Sequence, residues 1–478
     1  MKRKITGALL SLTLALPLAP ATANDLNLPD FGDTSSGIVS FQEEQRLGEL
    51  FMRSYRSQVP TSSDPLLISY LETLIGRLAQ YSELRNRNFH LIVAENPTMN
   101  AFAAPGNIIG VHTGLFLYSQ NEAQMASVMT HELAHLSQRH YARRLEQQRN
   151  MTLPFYTALL ASLVLAASGS GDGGMAAIAA TQVAAADAQL RFSRQNEQEA
   201  DRLGIETLIQ AGYDPYAAAD MFEQMLRASR YSRRPPDFLL THPVTESRVA
   251  DARARAMRYP RNLREDSLEF HLMRARVRVL QAESPQRAVQ QFTGELEGDS
   301  LSDDASRYGL ALAYAQAGNA SKAREAFAPL WKKDNSRLTY QVMDVDIDIA
   351  AKDYDTALQK LQSGLRKLPS YYPFVVRYAE ALMDSGRYQS CADYLSQVVR
   401  ERDDDPYLWY LLAEVEGLAG DVLGVHEARA EYFIQVGIYD KAIIQLRNAL
   451  KLTNDNYKTA LLTERLRYVE KLRADLNY

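Results

Sequence analysis

His131-Glu132-Leu133-Ala134-His135 sets two imidazoles four residues apart, with a carboxylate beside the first. On a helix, positions i and i+4 share a face, so both rings can reach one ion. Glu132 then stands where a carboxylate can hold and deprotonate a water at that ion. With 8 His and 58 acidic residues in 478, an accidental match is expected in roughly 2% of such chains at most. The flanks agree with a helix: Met125 to Met129 lead in without Gly or Pro, and Leu133, Ala134 and Leu136 continue the apolar pattern. The stretch therefore reads as a helical zinc site, and the fold must bring further ligands to it.

Two imidazoles do not complete a catalytic zinc site, which needs three protein ligands and an open position. A metzincin-type extension would require Gly and His where this chain has Gln138 and Tyr141. His140, five residues after His135, is expected to rotate off the ligand face as a surface or packing histidine. The third ligand must come from elsewhere, and Asn196-Glu197-Gln198-Glu199-Ala200-Asp201 is the best source. Glu197 and Asp201 share one helix face, so Glu197 can bind the metal while Asp201 accepts the free N–H of a ligand imidazole. Glu199 is expected on another, solvated face. The residues by themselves do not separate Glu197 from Glu199.

The composition narrows the setting. Lys2, Arg3 and Lys4 precede an apolar run from Ile5 to Leu18, and Ala21-Thr22-Ala23 fits a signal-peptidase site. The run is short of the roughly 20 residues that span a bilayer, so it reads as a cleaved export signal. No Cys lies near the cleavage site, which excludes lipoprotein acylation. Removing the three cations takes the formal charge from −5 to −8, a balance that disfavours nucleic acid as a partner. Cys391 is the only cysteine, so no disulfide can form within the chain. It is expected as a packed structural thiol.

Helical spacing marks residues 38–85, with Asp64-Pro65 as a start signal. Phe89 to Ala94 reads as a strand. Ala101–Ala104 and Ile108–His112 read as a hairpin around Pro105-Gly106-Asn107. An exposed edge there can hold an extended peptide through backbone hydrogen bonds; a purely structural sheet is the equal alternative. Leu153 to Ala188, apolar arms around a glycine-rich tip, is expected as a lid or membrane-grazing hairpin rather than a spanning one. A basic loop with Arg230, Arg233 and Arg234 leads to Thr241-His242-Pro243, and Thr245 caps the helix that carries Arg248.

From about residue 265 the pattern is all-helical. Gly318, Lys352, Gly386 and Gly420 recur every 34 residues at turns between paired helices, which is the tetratricopeptide period. Segments 266–293 and 432–452 fit the repeat only in part, as terminal units do.

HELAH, then NEQEAD, then THP followed by Arg248, with Asn100-Ala101-Phe102-Ala103 and Pro105-Gly106 upstream, resembles the HtpX/Oma-type gluzincin metallopeptidases. The resemblance implies that His131, His135 and Glu197 bind one Zn²⁺ and that Glu132 is the general base, and it favours Glu197 over Glu199. His242, between Thr and Pro before a helix, would donate to the developing oxyanion, occupy the open coordination position and keep the enzyme latent, or only fix its loop. Arg248 would stabilise the oxyanion or tether the His242 loop. The implied fold is mainly α: a gluzincin-type α+β metalloprotease domain with a small β-hairpin or sheet, followed by an all-α tetratricopeptide solenoid. The division expected is a signal peptide at 1–23, the peptidase domain at 24–262 with the apolar lid at 151–190, and the repeat domain at 263–478.

With the export signal and the repeats, the resemblance implies a periplasmic zinc endopeptidase and chaperone-like factor. It would promote assembly of outer-membrane β-barrel proteins and degrade misfolded ones. Unfolded or stalled outer-membrane proteins would be its substrates, with the β-barrel assembly machinery contacted through the repeats and the membrane touched only peripherally. The alternative is an assembly chaperone or adaptor whose proteolysis is minor or latent.

Overall fold

The computed structural model describes residues 39–147, 194–231, 236–262, 266–298 and 300–476. The export signal and the 151–190 hairpin lie outside the described residues, as do Arg233 and Arg234. None of the described helices is long and apolar enough to cross a membrane.

Two helices open the described chain, α1 (Phe41–Gln58) and α2 (Pro65–Ala79). Asp64 caps α2, accepting from the Leu66 and Leu67 amides, with Pro65 in the first turn where its missing N–H costs nothing. Three strands follow, β1 (His90–Ala94), β2 (Ala101–Ala104) and β3 (Ile108–His112). β2 and β3 form the expected antiparallel hairpin, with Gly106 and Asn107 at positive φ in its turn. β1 joins the far side of β3 in parallel, leaving β2 at an edge.

The sheet's period-two alternation divides its side chains between two cores. Ile92, Phe102, Ala104 and Ile108 face α1 with Phe51 and Tyr55. Val93, Ala101, Ile109 and Val111 face the main core with Leu71 and Met129. Gly110 lies directly under the Phe102 ring, where a Cβ would collide with it.

On that second face come α3 (Gly114–Tyr118) and α4 (Glu122–Ser137), the helix that carries the HELAH stretch. After α5 (His140–Gln147) and the undescribed segment, α6 (Arg194–Gln210) packs along α4. α7 (Ala217–Tyr231), α8 (Phe238–Thr241) and α9 (Glu246–Ala256) close the N-terminal half.

Helix pairs make up the rest. α10 (Leu268–Leu280) and α11 (Pro285–Glu297) come first. The four regular units follow: α12 (Asp303–Gln316) with α13 (Ala320–Lys333), and α14 (Leu338–Ala350) with α15 (Tyr354–Lys367); then α16 (Tyr372–Asp384) with α17 (Tyr388–Glu401), and α18 (Pro406–Ala419) with α19 (Val422–Gln435). α20 (Tyr439–Leu452) and α21 (Asn456–Leu476) end the stack.

The 34-residue spacing has a backbone cause. Gly318, Lys352, Gly386 and Gly420 all sit at φ between 60 and 87°. At each, the next amide reaches back to a carbonyl near the helix end: Asn319 to Tyr314, Asp353 to Asp348, Arg387 to Leu382 and Asp421 to Glu416. That 6→1 bond is the Schellman stop, and it explains why glycine holds three of the four places.

The repeats do not stand apart from the N-terminal half. One apolar core runs from Leu66 in α2 to Ala428 in α19. Arg276 of α10, only 2% exposed, donates through Nε to Asp64 Oδ2 at 2.7 Å and through Nη1 to the Tyr308 hydroxyl at 3.1 Å. Asp346 of α14 then bridges Arg276 to Arg377 of α16. The capping residue of α2 thus also anchors the solenoid.

Candidate metal centre

Gly204 allows α6 to approach α4 closely: a Cβ there would lie 3.1 Å from the His131 amide nitrogen and 3.2 Å from its Cα. This contact sets Asp201 and Glu197, about one and two turns earlier on α6, against the HELAH face of α4. His131, His135, Glu197 and His242 are all buried, and one donor atom from each lies within 4.8 Å of all the others. His131 Nε2 is 3.1 Å from His135 Nε2 and 3.4 Å from His242 Nδ1. Glu197 Oε1 is 3.0 Å from His242 Nδ1 and 3.5 Å from His135 Nε2.

A tetrahedron of ligands at about 2.0–2.1 Å from a zinc ion has edges of about 3.3 Å. The observed spacings straddle that value, and two or three imidazoles with a carboxylate are a donor set zinc accepts. The residues present fit the ion.

His242 is the fourth member of the group. It follows α8, its ring stacks on Phe238 with centroids 4.7 Å apart, and its Nε2 lies 3.5 Å from Glu132 Oε1. Glu132 is fully buried beside the Ala103 amide of the edge strand. Burial lifts its carboxyl above the usual range, against the pull of His242 and His131. A carboxylate lifted toward neutrality is a stronger base. Burial acts on Glu197 the same way, but His242, His131 and His135 outweigh it and hold it well below the usual range.

Asp201 Oδ1 lies 3.1 Å from His131 Nδ1. Asp201 in turn takes a two-pronged ion pair from Arg248, whose Nε and Nη2 are each 2.7 Å from its oxygens. Arg248 Nη1 reaches Glu197 Oε2 at 2.9 Å and the Pro243 carbonyl at 2.7 Å. Its guanidinium is thus aimed at the two α6 carboxylates and at the chain next to His242.

His140 packs, as one of its two expected readings had it, and lies outside the four-residue group, but it is no surface residue turned from the site. α4 stops at Ser137 and Arg139 adopts φ +50°, so helical spacing no longer applies. His140 opens a new helix and is fully buried, its Nδ1 2.8 Å from His135 Nδ1. Nor is Glu199 simply solvated, since its Oε2 lies 3.2 Å from His140 Nε2 and 3.1 Å from Arg143 Nη1. The αL kink at Arg139 carries no sequence signal, because arginine is not a residue expected there. Gly204, by contrast, could have been noticed: a glycine inside a helix costs about 1 kcal/mol and usually has a packing reason.

On the outer side of His135 a cleft of about 420 Å³ opens between Leu136, the Ala103–Asn107 turn and Phe41. The metal-site residues themselves are covered: His131, Glu132, His135, Glu197 and His242 are each no more than 4% exposed.

A buried His-His-Glu set on two helices, with a carboxylate base next to the first histidine, defines a metallopeptidase, here joined to a helical repeat. Comparison with known proteins agrees. Residues 65–256 match Peptidase family M48, and residues 348–415 match a tetratricopeptide repeat. The chain is 34% identical over 452 residues to the β-barrel assembly-enhancing protease of Escherichia coli, covering 94% of this chain and 92% of that one. It is 33% identical over 447 residues to the putative β-barrel assembly-enhancing protease of Vibrio cholerae, with 93% and 92% covered. It is also 28% identical over 217 residues to the mitochondrial metalloendopeptidase OMA1 of Schizosaccharomyces pombe, covering 44% of this chain and 60% of that one. The chain belongs to the β-barrel assembly-enhancing protease family within the M48 metallopeptidases.

Proposed function

We propose that the protein is a periplasmic zinc endopeptidase that cleaves unfolded or stalled outer-membrane β-barrel proteins and also assists their assembly. The observation that carries the catalytic part is the buried four-residue cluster, whose donor atoms lie within 4.8 Å of one another. The barrel part is supported by what the relatives' names say of them. In this reading residues 1–23 are a cleaved signal, 24–262 the peptidase domain, and 263–478 the repeat domain that recruits substrate and touches the assembly machinery. Contact with the membrane is peripheral, and nucleic acid is no partner.

His131, His135 and Glu197 would hold one zinc ion per chain, which supplies Lewis acidity at the scissile carbonyl and lowers the pKa of a water molecule. Glu132 takes that water's proton as the new C–O bond forms, and returns it to the leaving amine as the C–N bond breaks. Asp201 fixes the tautomer of His131. Arg248 keeps Asp201 and Glu197 ionised and ties down the chain beside His242. His242, close to Glu197 and His131, would occupy the position a substrate needs and so keep the enzyme latent.

The covered site also favours a second reading, in which the repeats act as an assembly chaperone and proteolysis is secondary. A Glu132→Gln variant separates the two, with zinc content, cleavage of an unfolded barrel protein and barrel assembly measured together. Zinc should stay and cleavage should fall by about 10²–10⁴. His131→Ala should lose the metal. If assembly support survives in Glu132→Gln, the chaperone role stands alone. If cleavage survives, the assignment of the base is wrong.

A further inference from the structure

The two α4 histidines need the same help and obtain it differently. A metal-binding imidazole that uses Nε2 carries its proton on Nδ1, and a partner at Nδ1 fixes the ring and raises its basicity. His131 has Asp201 at that position, 3.1 Å away. At His135 Nδ1 the neighbour seen among the described residues is another imidazole, His140 Nδ1, at 2.8 Å.

We propose that His140, backed by Glu199 and Arg143, is a positioning residue that relays carboxylate charge to His135. This inference rests on the zinc reading given above. A His135 that offers Nε2 to the metal carries its proton on Nδ1. His135 Nδ1–H donates to the bare Nδ1 of His140, which is therefore protonated on Nε2. That N–H donates to Glu199 Oε2 at 3.2 Å. Arg143 Nη1 approaches the same oxygen at 3.1 Å, while Arg143 Nη2 is anchored 3.3 Å from Gln138 Oε1.

The chain of contacts is built into the backbone. Arg139 at φ +50° ends one helix and starts the next, so the His140 ring comes to stand edge-on to His135, with centroids 4.9 Å apart and planes at 73°. Glu199 lies on the same helix as Glu197 and Asp201. α6 therefore supplies three carboxylates to one centre: Glu197 directly, Asp201 behind one histidine, and Glu199 behind the other through His140. The outermost member is the accessible one. Glu199 is 31% exposed and Arg143 42%, whereas His140 is fully covered. The relay therefore carries a surface charge inward to a buried ligand, next to the cleft that Arg143 lines.

The test is zinc affinity, measured on the full chain by competition with a chelator, together with the visible spectrum of the cobalt-substituted protein. His140→Phe keeps the ring's bulk and removes the acceptor. It should weaken zinc binding about 10–100-fold, as loss of an outer partner does, and shift the cobalt bands. His140→Asn should recover part of the loss, because its Oδ1 falls near the lost Nδ1. Glu199→Gln should weaken binding less and in the same direction, and at a half-exposed position it decides the matter if His140→Phe fails to fold. Wild-type zinc affinity and cobalt spectrum in both Glu199→Gln and folded His140→Phe overturn the relay. So does a loss that His140→Asn does not reduce, since that would mark packing alone. A wild-type chain that takes up no zinc instead overturns the metal-site reading itself.

Discussion

His242 Nδ1 lies 3.0 Å from Glu197 Oε1 and 3.4 Å from His131 Nε2, so it stands among the residues that could hold a metal ion. A catalytic zinc needs one position open. His242→Ala should therefore raise cleavage of an unstructured peptide several-fold at saturating zinc, read as initial rate. A fall of about 10²–10³ would instead make His242 a donor to the oxyanion.

Gly204 is where α6 presses on the backbone of His131. Gly204→Ala should improve intrinsic helix propensity by about 1 kcal/mol and yet weaken metal binding, because α6 must retreat by a few tenths of an ångström and take Glu197 and Asp201 with it. Zinc affinity measured beside the thermal stability of the metal-free chain separates the two effects. Unchanged affinity would show that the helices adjust at no cost to the site.

Arg276 is buried between Asp64 and Asp346. Removing one member of such a set leaves uncompensated charge, which typically costs about 3–5 kcal/mol. Arg276→Met should lower the urea midpoint accordingly, and Asp64→Asn in the same background should restore part of it. A shift under about 1 kcal/mol would mean that water reaches the carboxylates, making this an exposed pair in effect.

Cys391 is packed between helices, its Sγ donating to the Ala379 carbonyl at 3.2 Å, and burial pushes its thiol up to about 12. A raised folded pKa means that the group's contribution to stability is intact below its ordinary pKa near 9 and is lost as pH climbs toward about 12. At pH 8 a thiol reagent should leave the native chain unmodified and react fully in denaturant. Rapid native labelling would contradict the packing.

Much of this was legible from local pattern. The i, i+4 histidines, the Asp64-Pro65 cap and the turn at Gly106-Asn107 are short-range features governed by a few torsions and hydrogen bonds. The 34-residue period was readable even through Lys352, which takes φ +60° where three glycines take the same conformation, because spacing survives one substitution. Sequence did not reveal the parallel pairing of β1 with β3, which depends on the core and not on a turn. Nor did it reveal His140. A helical wheel assumes that the helix continues, and one residue at Arg139 ends it. Arg276 and Asp64 are 212 positions apart, a separation at which no local signal exists.

The apolar core shared by both halves has a practical corollary. Phe116 of α3 is covered by Phe270 of α10, with ring centroids 6.2 Å apart, and α2 is wrapped by the repeats. A fragment trimmed back to the peptidase would expose oily surface that the intact chain never shows to water, inviting clumping. Such a piece is a poor surrogate. Its silence in an assay would report on the cut and not on the chemistry.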